Sequence, residues 1–565
     1  MRSQETIDVA IVGAGPVGLT LSAKLAQMGL KVVCYEENQA LYAFPRAVGL
    51  DDESLRAFHG LGIGERELDP CLMNCAGIKY YGEHGQFLTM IHPKERPYGH
   101  FKGASFYQPF LENLLLQRAC ALGAKVQFGA RVVGLELNGD HALLMLQGET
   151  GVRHQVASYV VGCDGSRSFV RKNLRIGFKG TTFEQRWLVV DTANDVWPER
   201  YAEVWCSSAR PTVTIPRRQG FRRWEFMLKP GEDAADFDTL DKIRPLLEQR
   251  VPVDRIEIER FNVYTFHSRV ADSYRRGRVF LAGDAAHVIP PFMAQGMAAG
   301  VRDAENLAWK LAGVIKGRLR EQVLDSYETE RRPHLLAMGK LSERAGAFMM
   351  PQSRLRSLTK DFVVRALHRI PGVASAVEEA RMRPDPIYRA GLFSRQPSDT
   401  FAGSMFPQPL VRDTAGVDGL LDLHLGAGFS LVCYGAAERP LLAALQERLT
   451  RLGCRALQIA PQGLHVDQRF KRLPDATLVE DRHNAIGAWL RDREASCFLL
   501  RPDRYVIASF SLYAQSELVA WLDGELLNPG RAELSPPLER AVRAGKSQPT
   551  SPGNGAAGVR HTASV

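Results

Sequence analysis

The chain has 565 residues, 45% hydrophobic and 24% charged, enough apolar side chain for roughly two to four packed domains and too little polarity for a disordered protein. Its 72 basic and 63 acidic residues leave a net charge of +9. That charge is spread thinly, without the dense basic stripe that binding a phosphate backbone requires, which argues against a nucleic-acid partner while leaving a weak pull on anionic small molecules.

The opening "IDVAIVGAGPVGLTLSAKLAQMGLKVVCYEE" reads as buried strand, glycine turn, helix ending at Gly29, and second strand. A helix follows Pro109 in "PFLENLLLQRACALG", and "AKVQF", "ARVVGLEL" and "HALLMLQ" read as strands. "ASYVVGCDGSRSFVRK" is a further apolar strand that delivers a loop. From 179 to 270 the pattern turns to short alternating strands, "RWLVVDT", "AEVWC", "PTVTIP", "RRWEFML" and "IEIERFNVYTF", which predict an inserted antiparallel sheet. "RVFLAGD" and "MAAGVRDAENLAWKLAGVIKG" return to strand and helix, with helix continuing to Met349. Residues 383–410 are proline-rich and read as a linker, and 411–530 alternate strand and helix as a small α/β domain. The low-complexity end, 531–565, is expected to be disordered. The fold class is thus α/β, with 1–178 and 271–382 forming one domain around the insertion.

Nine cysteines scattered from Cys34 to Cys497 fit reduced thiols better than a disulfide frame. Cys71 and Cys75 form a C-x-x-x-C pair with no second pair or histidine cluster, so no metal site is expected. The N-terminus has acidic residues where a signal peptide would be basic, and no apolar run reaches the length of a membrane span. A cytoplasmic protein is the expectation.

Gly13, Gly15 and Gly18 make a G-x-G-x-x-G between strand and helix. The first glycine permits the turn, the second admits a pyrophosphate to the backbone, and the third allows close helix–strand packing. Glu36 ends the next strand, where its carboxylate can accept from ribose hydroxyls. The same expression recurs as "GNGAAG" at 553–558, with neither strand nor helix beside it, and is discarded. Two more loops follow strands: "CDGSRSFVR", with Asp164, Gly165, Ser168 and Arg171, and "GDAAH", with Gly283, Asp284 and His287. Ser168 lacks the G-x-S-x-G setting of a hydrolase nucleophile. His287 is expected to hydrogen-bond its own surroundings rather than relay protons.

The three loops in this order resemble the fingerprints of the class A, single-component FAD-dependent aromatic hydroxylases, over residues 5 to 350. "PRAVGLDDE", "ARPTVTIP", "GDAAHVIPPFMAQGMAAGVRDAENLAWKL" and "LRPDRYVIA" are most similar to the 3-(3-hydroxyphenyl)propionate hydroxylase branch. The resemblance implies an FAD-binding Rossmann-like domain of the glutathione reductase type, an inserted substrate sheet and a C-terminal thioredoxin-like domain. That last domain has no C-x-x-C, since Cys433, Cys454 and Cys497 are far apart in sequence, and a structural or homodimer-contact role is expected for it.

The resemblance further implies FAD contacts at Gly13, Ala14, Gly15, Pro16, Gly18, Glu36, Arg46, Gln108, Val132, Asp164, Gly283, Asp284, Pro291, Gly296, Met297 and Ala298. Asp284 would accept from a ribityl hydroxyl, and the helix beginning near Gly296 would point its positive end at the flavin's pyrimidine ring. Ala298 stands where 4-hydroxybenzoate hydroxylase has an asparagine, so any contact there must come from the backbone. Val48 stands where related phenol hydroxylases have an aspartate that helps ionise the phenol, leaving the base unassigned. Pro291 matches a proline whose carbonyl lies beside the reacting flavin edge, and no side chain is assigned as catalytic.

Val48 and Phe292 are expected at the substrate, with Arg210, Arg222 and Arg223 as candidate partners for a substrate carboxylate. The implied activity uses NADH or NADPH as a transient co-substrate, docking without a Rossmann domain of its own, and O2 to hydroxylate a phenolic ring ortho or para to its hydroxyl. A 3-(3-hydroxyphenyl)alkanoate is the expected substrate, with resorcinol-like phenols or a polyketide intermediate as the alternative. A flavin dehydrogenase without oxygen transfer, or a flavin-binding scaffold, are the readings from other classes.

Overall fold

A computed structural model describes residues 6–529 except 74–76, 150, 371, 382, 395–398, 464–469 and 492–495. Cys75, the second glycine motif at 553–558 and the C-terminal tail lie outside the described residues.

The first sheet runs Arg275–Arg276, Val279–Leu281, Gly151–Gly162, Ile7–Val12, Val32–Tyr35, Lys125–Gln127, with Arg131–Asn138 and His141–Gly148 hairpinned off Gly151–Gly162. Near-continuous Val and Ile runs suit strands buried on both faces, and Val9, Ala10, Ile11, Val160 and Val161 are fully buried. The central strands are parallel and in step: Val12 pairs with Gly162 and with Tyr35, and Gly162 pairs with Leu281. All three fingerprint loops and Glu36 therefore leave the sheet at its carboxyl edge, the place where open α/β sheets bind ligands. Helices Pro16–Gln27 and Gly296–Ile315 pack together on this sheet.

The second sheet has eight strands in the order His287–Val288, Glu257–Ala271, Phe178–Ala193, Arg222–Met227, Thr212–Pro216, Ala202–Trp205, Ile78–Tyr81, Phe87–Ile91. It is larger than the expected insertion. The last two strands come from the first third of the chain, and Ile78–Tyr81 joins in parallel with Ala202–Trp205. One face buries Leu188, Val190, Trp224 and Phe226 against Ile243 and Leu247 of helix Leu240–Glu248. The other face looks toward the fingerprint loops.

The C-terminal sheet runs Asp418–Leu420, Leu410–Asp413, Thr477–Asp481, Arg455–Ala460, Ser430–Tyr434, Cys497–Leu500, Val506–Phe510. Parallel strands at its centre and an antiparallel pair at its edge make it thioredoxin-like. Cys433 and Cys497, remote in sequence, are direct cross-strand partners with sulfurs 2.7 Å apart, both buried. The proline-rich segment before this domain is firmly fastened: Arg383 ion-pairs with Asp51, Asp52 and Glu53, and Tyr388 stacks on Tyr505 with centroids 4.1 Å apart. Arg501 grips Glu330 at 2.8 and 3.0 Å, and Arg56 takes Asp422 in a bidentate pair at 2.8 Å. No helix among the described residues is long and apolar enough to cross a membrane.

Candidate active site

The glycine turn is built by close approach. Gly13 has φ +102°, and a Cβ there would sit 2.5 Å from the Cys163 carbonyl oxygen; a Cβ on Gly18 would sit 2.0 Å from the Gly13 oxygen. Nothing lies within 4 Å of a Cβ placed on Gly15. Packing thus explains the first and third glycines, whereas the second faces open space that only a bound molecule would fill. Pro16 starts the helix, whose first turn has no side-chain cap and directs its free N–H groups at that space. Glu36 Oε2 accepts the Ala14 N–H at 2.8 Å, and its Oε1 accepts the Asn38 N–H at 3.0 Å.

The second and third loops are wired to each other. Asp164 accepts from the Ser168 hydroxyl at 2.6 Å and the Val170 N–H at 3.0 Å, so this carboxylate shapes its loop as well as lining the site. Burial raises its pKa against the pull of those two bonds. Ser168 caps helix Phe169–Asn173, and Arg171 donates to the Ala285 carbonyl at 2.9 Å and the Ser166 carbonyl at 2.8 Å. His287 Nε2 donates to Asp303 at 2.6 Å, and the same carboxylate accepts from Gly283 N–H at 3.0 Å and Arg331 Nε at 2.9 Å. Burial pushes the Asp303 carboxyl up, but His287 and Arg331 outweigh it and hold the pKa at about 2. His287 is 1% exposed and fixes the "GDAAH" turn to the helix behind it.

These loops and the second sheet enclose a cavity of about 1370 Å³, beyond the several hundred to about 1000 Å³ of a single drug-sized ligand. Gly13, Ala14, Gly15, Pro16, Glu36 and Val132 line it beside the first turn; Gly18 is packed behind. Arg46, Gln108, Asp164 and Asp284 follow. Gln108 does not simply face the cavity: its Oε1 accepts the Arg46 and Ala47 N–H groups at 2.8 and 2.6 Å, and its Nε2 donates to Glu112 at 2.7 Å. Asp284 is exposed, lines the cavity and accepts no hydrogen bond among the described residues. Removal from bulk water raises its pKa, against the pull of His287 and Arg46.

Helix Gly296–Ile315 begins at the cavity wall without a side-chain cap or an acidic residue in its first turn. Gly296 and Met297 line the cavity, and a Cβ on Gly296 would meet nothing within 4 Å. Ala298 is fully buried off the wall, so its side chain reaches no ligand there. Gly283, at φ +59°, lies behind the wall against Val17. Pro291 lines the cavity and its carbonyl accepts the Ala294 N–H at 2.8 Å.

At the sheet end the wall is apolar: Val48, Val189, Val204, Val213, Trp187 and Phe292 line it. Phe292 lies edge-on to Trp187 and Phe266, in a gap left by Gly346, where a Cβ would come within 2.5 Å of its ring.

The three arginines expected to meet a substrate carboxylate are otherwise engaged. Arg210 pairs with Glu232 at 2.6 and 2.9 Å, Arg222 pairs with Asp195 at 2.8 Å, and neither lines the cavity. Arg222 faces the wrong side because side chains alternate along its strand. Arg223 does line the cavity, with Nε, Nη1 and Nη2 all bound, to Asp191 and the carbonyls of Pro45 and Arg46. Sequence reasoning passed over Glu225, two residues along the same face. Its carboxyl lines the apolar end and takes no hydrogen bond among the described residues. The only sequence signal was an acid at a core-facing position of an alternating strand.

An open second glycine, an unpartnered carboxylate at Asp284 and an uncapped helix N-terminus on one cavity form a donor and acceptor set that fits FAD. Residues 6–342 match the family described as FAD binding domain, and residues 403–524 match the HcaD C-terminal domain. The chain is similar to the 3-(3-hydroxy-phenyl)propionate/3-hydroxycinnamic acid hydroxylase of Mycolicibacterium gilvum (strain PYR-GCK), 37% identical with 90% of each chain covered. It is similar also to the protein of that name from Klebsiella pneumoniae (strain 342), 36% identical with 89% of this chain and 92% of that one covered. In fold it resembles aklavinone-11 hydroxylase solved with FAD and aklavinone, with TM-score 0.74, 23% identity, and 92% and 99% of the two chains covered. The flavin-dependent monooxygenase PieE gives TM-score 0.75 at 21% identity, covering 92% of this chain and 98% of its own. The chain belongs to the single-component FAD-dependent hydroxylase family and is a flavoprotein monooxygenase.

Proposed function

We propose that this monooxygenase hydroxylates a phenolic ring carrying a short carboxylate side chain, of the 3-(3-hydroxyphenyl)propionate type, at a carbon ortho or para to the ring hydroxyl. The observation that carries the reading is the continuity of one cavity from the glycine turn to an apolar pocket on the second sheet. Bound FAD, reduced by NADH or NADPH, supplies the activation of O2. The chain's own residues bind, orient and keep dry.

The Gly15 backbone and the N-terminus of helix Pro16–Gln27 take the pyrophosphate, and Glu36 takes the ribose while holding Ala14. Asp284 accepts from the ribityl chain. Gly296 and Met297, at an uncapped helix N-terminus, would hold the flavin ring where positive helix-end charge favours its reduced, anionic form. Trp187, Phe292, Val189 and Val213 form a slot for an aromatic ring and exclude water from the reacting edge. Arg96 and Lys102 line the cavity, Lys102 held only by a 3.4 Å pair with Glu95, and take the charge-pairing role expected of Arg210, Arg222 and Arg223.

The test is a panel of phenols with and without a propionate tail, together with resorcinol and a fused-ring phenol. Phenol-stimulated NAD(P)H oxidation and product identity are measured for each. A higher kcat/KM for tailed phenols supports the reading; preference for resorcinol or the fused ring overturns the substrate assignment.

A further inference from the structure

We propose that Glu225 is the residue that accepts the proton of the substrate's ring hydroxyl. The assignment rests on the phenolic reading above and names the base at that same site. Glu225 lies in strand Arg222–Met227, directly paired with Val189 on one side and Val213 on the other. Directly paired residues share a face, so its carboxyl stands between two aliphatic side chains that line the cavity. The next position along this face, Arg223, is locked to Asp191 at 2.8 and 2.9 Å, a fixed cation that favours the ionised carboxylate.

The other acids on the cavity wall are placed elsewhere or are already bonded. Glu36 and Asp164 serve the turns, Glu37 pairs with Arg131 at 3.5 Å, Glu112 accepts from Gln108, and Asp284 stands on the flavin loop. Glu225 alone faces the apolar slot and takes no hydrogen bond among the described residues. A lone carboxyl in such a slot costs stability unless a ligand completes it. Burial raises its pKa, Arg223 draws it back and Asp191 adds to the rise, giving a stronger base than a surface glutamate.

Attaching oxygen to a phenol demands an electron-rich ring. The substrate O–H bond breaks, the proton passes to a Glu225 Oε atom, and the bonding pair stays on the ring oxygen, enriching the ortho and para carbons. A C–O bond then forms at one of these carbons as the O–O bond of the oxygen drawn from O2 breaks, one atom staying on the ring as hydroxyl and the other leaving as water with the two electrons of NAD(P)H, and the ring is a dienone. Loss of the proton from the carbon that took the oxygen restores aromaticity, that proton leaves to solvent, and Glu225 returns its own to the ring oxygen. The carboxyl ends as it began, and the oxidant and reductant are the O2 and NAD(P)H of the established activity.

The test compares wild type, Glu225→Gln and Glu225→Asp, all FAD-loaded, on the best-accepted phenol and on ring-fluorinated analogues of rising acidity. Glu225→Gln keeps the size and the FAD absorbance and loses product formation about 100-fold, the low end of what a positioned base contributes. That deficit shrinks at least about tenfold across the fluorinated series, because a more acidic phenol needs its base less. Glu225→Asp, one methylene shorter, shows a smaller loss with the same dependence, and carries the comparison should the glutamine variant not accumulate. Product formation within about threefold of wild type in the variants, or a deficit equal for every phenol, overturns the assignment. Wild type that hydroxylates no phenol overturns the functional reading beneath it.

Discussion

Glu36 Oε2 accepts the amide N–H of Ala14 at 2.8 Å, so the carboxylate ending the second strand holds the turn that follows the first. One side chain therefore shapes the pyrophosphate loop and faces the cavity. Glu36→Ala removes a charge-assisted bond of about 1.5–3 kcal/mol, and FAD affinity is expected to fall roughly 10- to 100-fold. Fluorescence titration of apoprotein with FAD measures it; unchanged affinity contradicts the role.

Gly15 and Gly18 separate cofactor binding from folding. Gly15 has φ −71° and open space where a Cβ would go, so Gly15→Ala is expected to leave the apoprotein's Tm near wild type while the protein purifies without FAD. A Cβ on Gly18 meets the Gly13 carbonyl at 2.0 Å, and Gly18→Ala is expected to destabilise the apoprotein by about 1–3 kcal/mol or more. Thermal melts and FAD content, measured side by side, would contradict this if the two variants behaved alike.

Asp303 is fully buried and accepts from His287, Gly283 and Arg331 together. Asp303→Ala strands the Arg331 guanidinium, itself 1% exposed, and is expected to cost about 3–5 kcal/mol in denaturant unfolding. A cost near that of an exposed ion pair would mean that the "GDAAH" turn is held by something else.

His100 gives a pH signature. Burial lowers its pKa to about 4, helped by His59, Arg56 and Arg96 and opposed by Asp422. A histidine whose folded pKa lies below its unfolded value of about 6.5 contributes stability that is complete above that value and is lost as pH falls toward the folded pKa. Between pH 8 and pH 5 this amounts to about 2 kcal/mol. Urea unfolding at the two pH values is expected to show a drop smaller by about that amount in His100→Leu; equal drops in the two proteins would contradict the assignment.

Much of the fold was legible because parallel strands announce themselves as unbroken Val and Ile runs, and the loops at their ends carry glycines whose roles are steric. Strand Ile7–Val12, its turn and helix Pro16–Gln27 lie where the sequence placed them. Strands Ile78–Tyr81 and Phe87–Ile91 were not legible, since joining a distant sheet leaves no mark in the local pattern. Helix Arg354–Leu367 was not singled out beyond Met349, although Ser353 caps its start by accepting the Arg356 N–H; a lone serine after a proline is too common in sequence to mark a helix by itself. The proline-rich stretch 383–410 looked loose by composition, yet single contacts such as Arg383 with Asp51–Glu53 fasten it.

At the site, loop residues were readable and sheet residues were not. An arginine's partner is invisible in sequence, so Arg210, Arg222 and Arg223 could not be told from ligands; each already had an acid waiting. Glu225 was missed for the converse reason. Among the described residues it takes no hydrogen bond, and the enclosing cavity shows that it faces a ligand-sized space.

The central claim, that one cavity joins a flavin site to a phenol site, is tested most directly by isotope. Reconstituted protein is turned over with NAD(P)H and 3-(3-hydroxyphenyl)propionate under labelled dioxygen, and the product is analysed by mass spectrometry. Phenol-stimulated NAD(P)H consumption with a single labelled oxygen on the ring, ortho or para to the original hydroxyl, is the predicted result. NAD(P)H consumption that ignores the phenol and leaves its ring unlabelled would contradict it.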